Sequence, residues 1–225
     1  MRNAHIAGWG HTPFGRLDGH DLESLILQAC AQAVTSAAID PADIDAVFVA
    51  HFNAGMVPDG FCASMPLGLH PGLRFKPSAR VENACASGAA AIHAGIQAIE
   101  SGQARTVLVV GAEKMTAVDN AQVTQALAGA SYWREEGALG LNFPRIFARI
   151  AQQYFDRHGD HADTLARIAV KNHANGARNP LAHMRRALDF DFCSKVSERN
   201  PLIAAPLRKT DCSTVADGAA ALVLV

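Results

Sequence analysis

Three runs in this chain are apolar without a break: Ala46–Ala50, Val107–Val110 and Ala219–Val225. A strand with one wet face alternates apolar and polar residues, so an unbroken run belongs to a strand covered on both faces. That excludes a sheet with a solvated side and calls for helices above and below it. The intervening segments supply them. From Asp21 to Ala37, apolar residues recur at helical spacing through Leu22, Leu25, Ile26, Ala29, Cys30, Ala33, Val34 and Ala37. Cys30 lies in that stripe and reads as core packing. Two more strands are expected, at Ala4–Gly10 and near Arg80–Ala84, which gives an α/β fold with a mixed five-stranded sheet.

The segment from Ala86 to Ile99 reads as a helix of mostly small side chains, uncharged unless His93 is protonated. A helix apolar all round is a buried one, so a buried central helix is expected. Gly88 and Gly95 each cost about 1 kcal/mol against alanine in a helix interior, and close backbone packing is the expected compensation at both. After Lys114 charge rises and apolar strands vanish. Helical stripes take over, through Phe147, Ile150, Ala151 and Phe155, then Leu165, Ile168, Ala169 and Asn172. The expected organisation is an α/β domain of residues 1–115 and 207–225, interrupted at 116–206 by a mostly helical insertion. The last apolar run meets the chain end with no turn or polar tail, which reads as a cut across a larger fold.

Cys85 stands between a strand and this small-residue helix. A thiol at a helix start feels the positive end of the helix dipole and the unpaired amide N–H groups of the first turn. Both favour thiolate, the nucleophilic form. The competing reading is that cysteine is a small buried hydrophobe. His93, on the same helix, is about 12 Å along the axis from Cys85, too far for direct proton transfer, and reads as a satisfied buried histidine. His51 ends a strand near the carboxyl edge of the sheet, from where it could approach the site.

The run Val81-Glu82-Asn83-Ala84-Cys85-Ala86-Ser87-Gly88 resembles the nucleophile motif of thiolases, enzymes that transfer acyl groups between coenzyme A thioesters. Gly111-Ala112-Glu113-Lys114-Met115 resembles the family's next strand and turn. Lys171 to Pro180 resembles the sterol-carrier-protein type in particular. Asp211-Cys212-Ser213, with Asp217-Gly218-Ala219-Ala220-Ala221, resembles the return strand. The resemblance implies a thiolase-like layered fold with Cys85 as nucleophile. It implies coenzyme A and acyl-CoA as substrates, with no covalently bound cofactor and no metal. Met115 would line the acyl pocket, and Lys171, His173 and Arg178 could meet the phosphates of coenzyme A. The activating histidine, the acid/base cysteine and most oxyanion donors would lie in a C-terminal half that this chain lacks. A second domain or chain would supply them, in a homodimer or tetramer. Where classical members carry Gln-Asp-x-Phe/Tyr-Ala, this chain reads Asn142 to Ala148 as Asn-Phe-Pro-Arg-Ile-Phe-Ala, which points away from acetoacetyl-CoA and toward a longer or branched acyl chain. Two alternatives stay open: a ketoacyl-synthase-type condensing enzyme, and a non-catalytic binding or assembly subunit. A related branch that performs retro-aldol cleavage without the cysteine fits less well, since Cys85 is present.

Composition bounds the rest. With 20 basic and 21 acidic residues the chain has no positive excess to neutralise nucleic-acid phosphates. Five cysteines, with no C-x-x-C pair, argue against a disulfide framework or a zinc site. They favour a reducing compartment, and a cytoplasmic location is expected. No apolar leader opens the chain, and no run approaches the length of a membrane span.

Overall fold

The structure, a computed structural model, describes residues 3–225. It falls into two compact units: residues up to Asp119 together with Ala216–Val225, and Asn120–Val215.

In the first unit β1 (Ile6–His11) leads to α1 (Leu22–Ala37), followed by β2 (Ala46–Ala50), β3 (Ser78–Val81), α2 (Ser87–Glu100) and β4 (Val107–Glu113). Asp21 begins α1 by accepting a 2.8 Å bond from the Ser24 amide, and Ala38 ends it in the left-handed conformation. The second unit holds α3 (Asn120–Ala128), α4 (Phe143–His158), α5 (Ala162–Arg178), α6 (Phe190–Ser194) and a small hairpin of β5 (Leu202–Ala204) and β6 (Leu207–Arg208). β7 (Gly218–Leu224) then returns to the first unit. The hairpin was not legible as strands, because three and two residues are too short to show an alternation. Among the described residues no helix is long and apolar enough to cross a membrane.

The sheet order is β1-β7-β4-β2-β3, antiparallel across β1, β7 and β4 and parallel across β4, β2 and β3. Alternate side chains of the central strands serve two cores. Val47, Val49, Leu108, Val110, Ala221 and Val223 pack under α1 with Leu25, Ile26 and Ala29. Ala46, Ala50, Val107, Val109 and Leu224 pack under α2 with Ala91, Ala98 and Ile99. This is the two-sided cover that the unbroken apolar runs demand.

α2 itself departs from expectation. It buries one stripe, Ser87, Ala91, Gly95, Ala98 and Ile99, while Gly88, Ala89 and His93 are exposed. His93 is therefore not a buried histidine; it lies on the exposed face of α2. The two glycines also differ. A Cβ at Gly95 would stand 2.9 Å from Leu224 Cδ1 and 3.1 Å from Val109 Cγ2, so its packing on the sheet is close. Nothing lies within 4 Å of a Cβ at Gly88.

The inserted unit has a small core of Ala166, Ala169 and Cys193, flanked by Val170, Leu188 and Phe192. Buried Arg208 ties it together. Its guanidinium donates to Ser194 O at 2.6 Å and Ala162 O at 2.7 Å, and pairs with Asp211 at 3.2 Å.

Within the first unit Lys114 and Asp217 pair, both buried, with Nζ 2.7 Å from Oδ2. The Asp217 carboxylate also accepts from the Thr116 amide at 2.8 Å, the Thr116 hydroxyl at 2.7 Å and the Leu17 amide at 3.0 Å. Burial alone would raise the Asp217 pKa; these donors outweigh it and hold the carboxyl below its ordinary range. A depressed folded-state pKa gives stability that is present above the unfolded value of about 3.9 and is lost as pH falls through the folded one.

Asp217→Asn is expected to destabilise the chain by about 3–5 kcal/mol, the usual effect of stranding a buried charge, and to flatten the loss of stability below about pH 4; urea unfolding at pH 7 and pH 3 checks both. Gly95→Ala is expected to destabilise through overpacking by about 1–3 kcal/mol despite the gain in helix propensity. Gly88→Ala, with open space around it, is expected to unfold at equal or higher urea.

Candidate active site

β3 ends at Val81, and the chain turns sharply before α2 starts. Ala84 adopts φ +48°, an unfavourable region for a residue with a side chain. The Ser87 hydroxyl bridges the turn: the Asn83 amide donates to Ser87 Oγ at 2.8 Å, and Ser87 Oγ donates to Ala84 O at 2.6 Å. Cys85 lies in this turn, exposed, two residues before the first residue of α2. The helix therefore begins slightly later than the sequence suggests, with Cys85 just outside it. Ala86, at the N-cap, has no side chain able to cap, and no side-chain hydrogen bond closes the amino end of α2.

The other four cysteines are unlike it. Burial pushes Cys30 up to about 12. Burial is also the leading cause of the upward shifts at Cys62, Cys193 and Cys212.

Beside the Cys85 turn, the carboxyl ends of β2 and β4 carry a polar network. His51 is 1% exposed, with Nδ1 2.9 Å from Ala112 O and 3.3 Å from Glu113 Oε2. The Glu113 carboxylate accepts from the Phe52 amide and, at 3.4 Å, from the Asn53 amide. Arg80 of β3 donates to His51 O at 3.0 Å and to Phe52 O at 2.9 Å. The peptide after β2 is thus held by Glu113 on its amides and Arg80 on its carbonyls. Beyond the clamp, Asn53 and Ala54 take φ values of +58° and +46°. Glu113 and Lys114 accordingly make local packing and charge contacts. Met115 is half-buried in the turn after β4, at this same sheet edge.

The inserted unit contains a cavity of about 680 Å³, within the usual range for a small-molecule site. His173, Arg186, Arg199, Lys209, Asp211 and Ser213 are among its lining residues. His173 Nδ1 stands 3.2 Å from Arg186 O. Of the three residues expected to meet phosphates, only His173 lines this cavity. Lys171 is exposed, and Arg178 bonds Asn175 Oδ1 at 2.7 Å. Arg186, Arg199 and Lys209 were missed because they are scattered through loop and turn segments with no periodicity to group them.

The fold and the strand–turn–helix at Cys85 define a thiolase-type α/β unit, and comparisons agree. Residues 4–225 match the thiolase N-terminal domain, and the chain belongs to the thiolase family. It is 39% identical over 225 residues to an acetyl-CoA acetyltransferase of Methanocaldococcus jannaschii, covering 100% of this chain and 56% of that protein. It is 35% identical over 224 residues to an acetyl-CoA acetyltransferase of Methanothermobacter thermautotrophicus, covering 100% and 57%. The chain thus spans just over half the length of these relatives. Among solved structures the Ltp2-ChsH2(DUF35) aldolase has a TM-score of 0.78 at 23% identity, covering 99% of this chain and 55% of that one. Human mitochondrial 3-ketoacyl-CoA thiolase in complex with CoA has a TM-score of 0.74 at 18% identity, covering 100% and 64%. At those identities the two structures speak for the fold.

Iodoacetamide at pH 7.5 is expected to modify Cys85 first. Peptide mass spectrometry should find it labelled at least about tenfold faster than each of the other four, whose thiols are buried or, at Cys212, half-buried and are disfavoured as thiolates. Comparable rates at Cys85 and Cys212 would contradict this.

Proposed function

We propose that this chain carries the nucleophile of an acyl-CoA acyltransferase of thiolase type. The observation that carries the reading is the exposed Cys85 in a strained turn at the uncapped amino end of α2. In the thiolytic direction Cys85 Sγ attacks the 3-keto carbon of a 3-ketoacyl-CoA. The carbonyl becomes a tetrahedral oxyanion, for which the backbone N–H of Cys85 is one proposed donor. Collapse of that intermediate breaks the C2–C3 bond, leaves the shortened acyl group on sulfur and releases acetyl-CoA once its carbanion takes a proton. The thiol of a second coenzyme A then attacks the thioester and frees Cys85. Run backwards, the same steps form a carbon–carbon bond.

Met115 remains the residue proposed to line the acyl pocket. For coenzyme A, the cavity of the inserted unit supports His173, joined by Arg186, Arg199 and Lys209, over Lys171 and Arg178. The base that activates the thiol and the proton donor to the carbanion are assigned to a further half of the protein, consistent with the partial span of the relatives. The open face of α2 is the surface proposed to receive it, within a homo-oligomer. A separate partner is the second reading, supported by the structural neighbour Ltp2-ChsH2(DUF35) aldolase. That neighbour is an aldolase; the presence of Cys85 favours acyl transfer here. Five free cysteines fit a cytoplasmic location.

Incubating the protein, with whatever chain completes it, with a 3-ketoacyl-CoA is expected to leave an acyl adduct on the Cys85 peptide. Cys85→Ala is expected to abolish the adduct and lower thiolysis by about a thousandfold or more. Full turnover by the alanine variant would assign the chemistry elsewhere.

A further inference from the structure

Among the described residues three buried side-chain atoms lack a hydrogen-bond partner: Thr210 Oγ1 and Asp211 Oδ1 in the inserted unit, and His51 Nε2 beside the Cys85 turn. The histidine is the informative one. Ala112 O can only accept, so the 2.9 Å contact places the proton on Nδ1. Glu113 Oε2, at 3.3 Å from the same nitrogen, reinforces that tautomer. Nε2 is then a bare lone pair in a side chain with no exposed surface. A buried acceptor left unpaired is unfavourable, and an apolar residue would avoid it. A base nitrogen whose partner nitrogen is oriented by a carboxylate is the arrangement that serves thiol and hydroxyl nucleophiles.

Location adds an independent argument. His51 directly follows β2, its backbone N–H bonds Val81 O at the end of β3, and Cys85 comes four residues after Val81. Ligands of parallel sheets bind beyond the carboxyl ends of the strands, and this is that edge. Of the five described non-glycine residues with positive φ, three (Asn53, Ala54 and Ala84) lie here. Backbone strain of this kind gathers at functional sites.

We propose that His51 is a positioning residue for the Cys85 site, its Nε2 accepting a hydrogen bond from a donor on the Cys85 side, either the thiol itself or a water bound to it. This rests on the reading of Cys85 as nucleophile. The bond orients the thiol; no proton changes hands in it.

The test uses the chain with 15N-labelled histidine. The imidazole resonances of His51, identified by their loss in His51→Asn, are expected to report an Nδ1–H tautomer with a hydrogen-bonded Nε2. If alkylation of Cys85 by iodoacetamide abolishes the Nε2 bond, the thiol is the donor; if the bond persists, it is the water. His51→Asn keeps a donor toward Ala112 O but loses Nε2. It is expected to change the rate of Cys85 alkylation about fivefold, the factor one ordinary hydrogen bond carries: faster where the thiol is the donor, because a bond made by S–H favours thiol over thiolate, and slower where the donor is a water that also holds the sulfur, with His51→Gln reversing part of the change. Slow labelling of Cys30 and Cys62 in each variant confirms that the fold is intact. A bare Nε2 lone pair in the unmodified protein overturns the proposal whether or not the variants fold, and so does alkylation of a folded His51→Asn at the parent rate. Either result leaves Cys85 free to be the nucleophile, which selective labelling decides separately.

Discussion

A single buried ion pair decides whether the sheet of this protein can close. β7 occupies the position between β1 and β4, yet a whole unit of chain intervenes between β4 and β7. Lys114 leaves the end of β4 and Asp217 precedes β7, so their bond joins the two sides of that interruption. The carboxylate gathers Leu17 as well, drawing in the loop between β1 and α1. With both members desolvated, neither is tolerable alone. The pair therefore acts less as a source of net stability than as a specification: β7 enters in one register, or a charge is stranded.

That register matters for the chemistry. β4 holds β2, β2 holds β3, and β3 delivers the Cys85 turn. The turn is demanding, since Ala84 adopts a conformation that alanine resists, and Ser87 bridges across it. An exposed thiol on so constrained a backbone is held in place by main-chain geometry. The four cysteines with raised pKa values make the same point by contrast, because burial suppresses the form in which a thiol reacts.

Much of the first unit was legible in the sequence because its signals are local. Unbroken apolar runs marked β2, β4 and β7, the period of Leu22 to Ala37 marked α1, and the Cys85 motif marked the turn. The misreadings have one origin. His93 was expected to be buried and Gly88 tightly packed because α2 is built mostly of small uncharged residues, but within the first unit the described residues bury only the stripe that meets the sheet. A sequence records what a surface is suited to meet and leaves open which part of the assembly meets it. The cavity of the inserted unit was legible only at His173. Its cationic residues come from separate loops, and only tertiary structure brings them together. His51 could be placed at the sheet edge from sequence, but its tautomer and its unpaired nitrogen follow from contacts with Ala112 and Glu113 that no spacing rule encodes.

The open face of α2 sets a distance. Helices pack with their axes about 8–10 Å apart, at the short end when the contact residues are small. Gly88 and Ala89 are as small as residues come, and both stand at the end of the helix nearest Cys85. A helix laid against them can bring its own backbone almost onto that of α2. Side chains on the incoming helix then need little length to reach the thiol, and short side chains have few rotamers to misplace. Smallness on this surface is therefore a form of precision, because it fixes how near a second set of reactive groups must come.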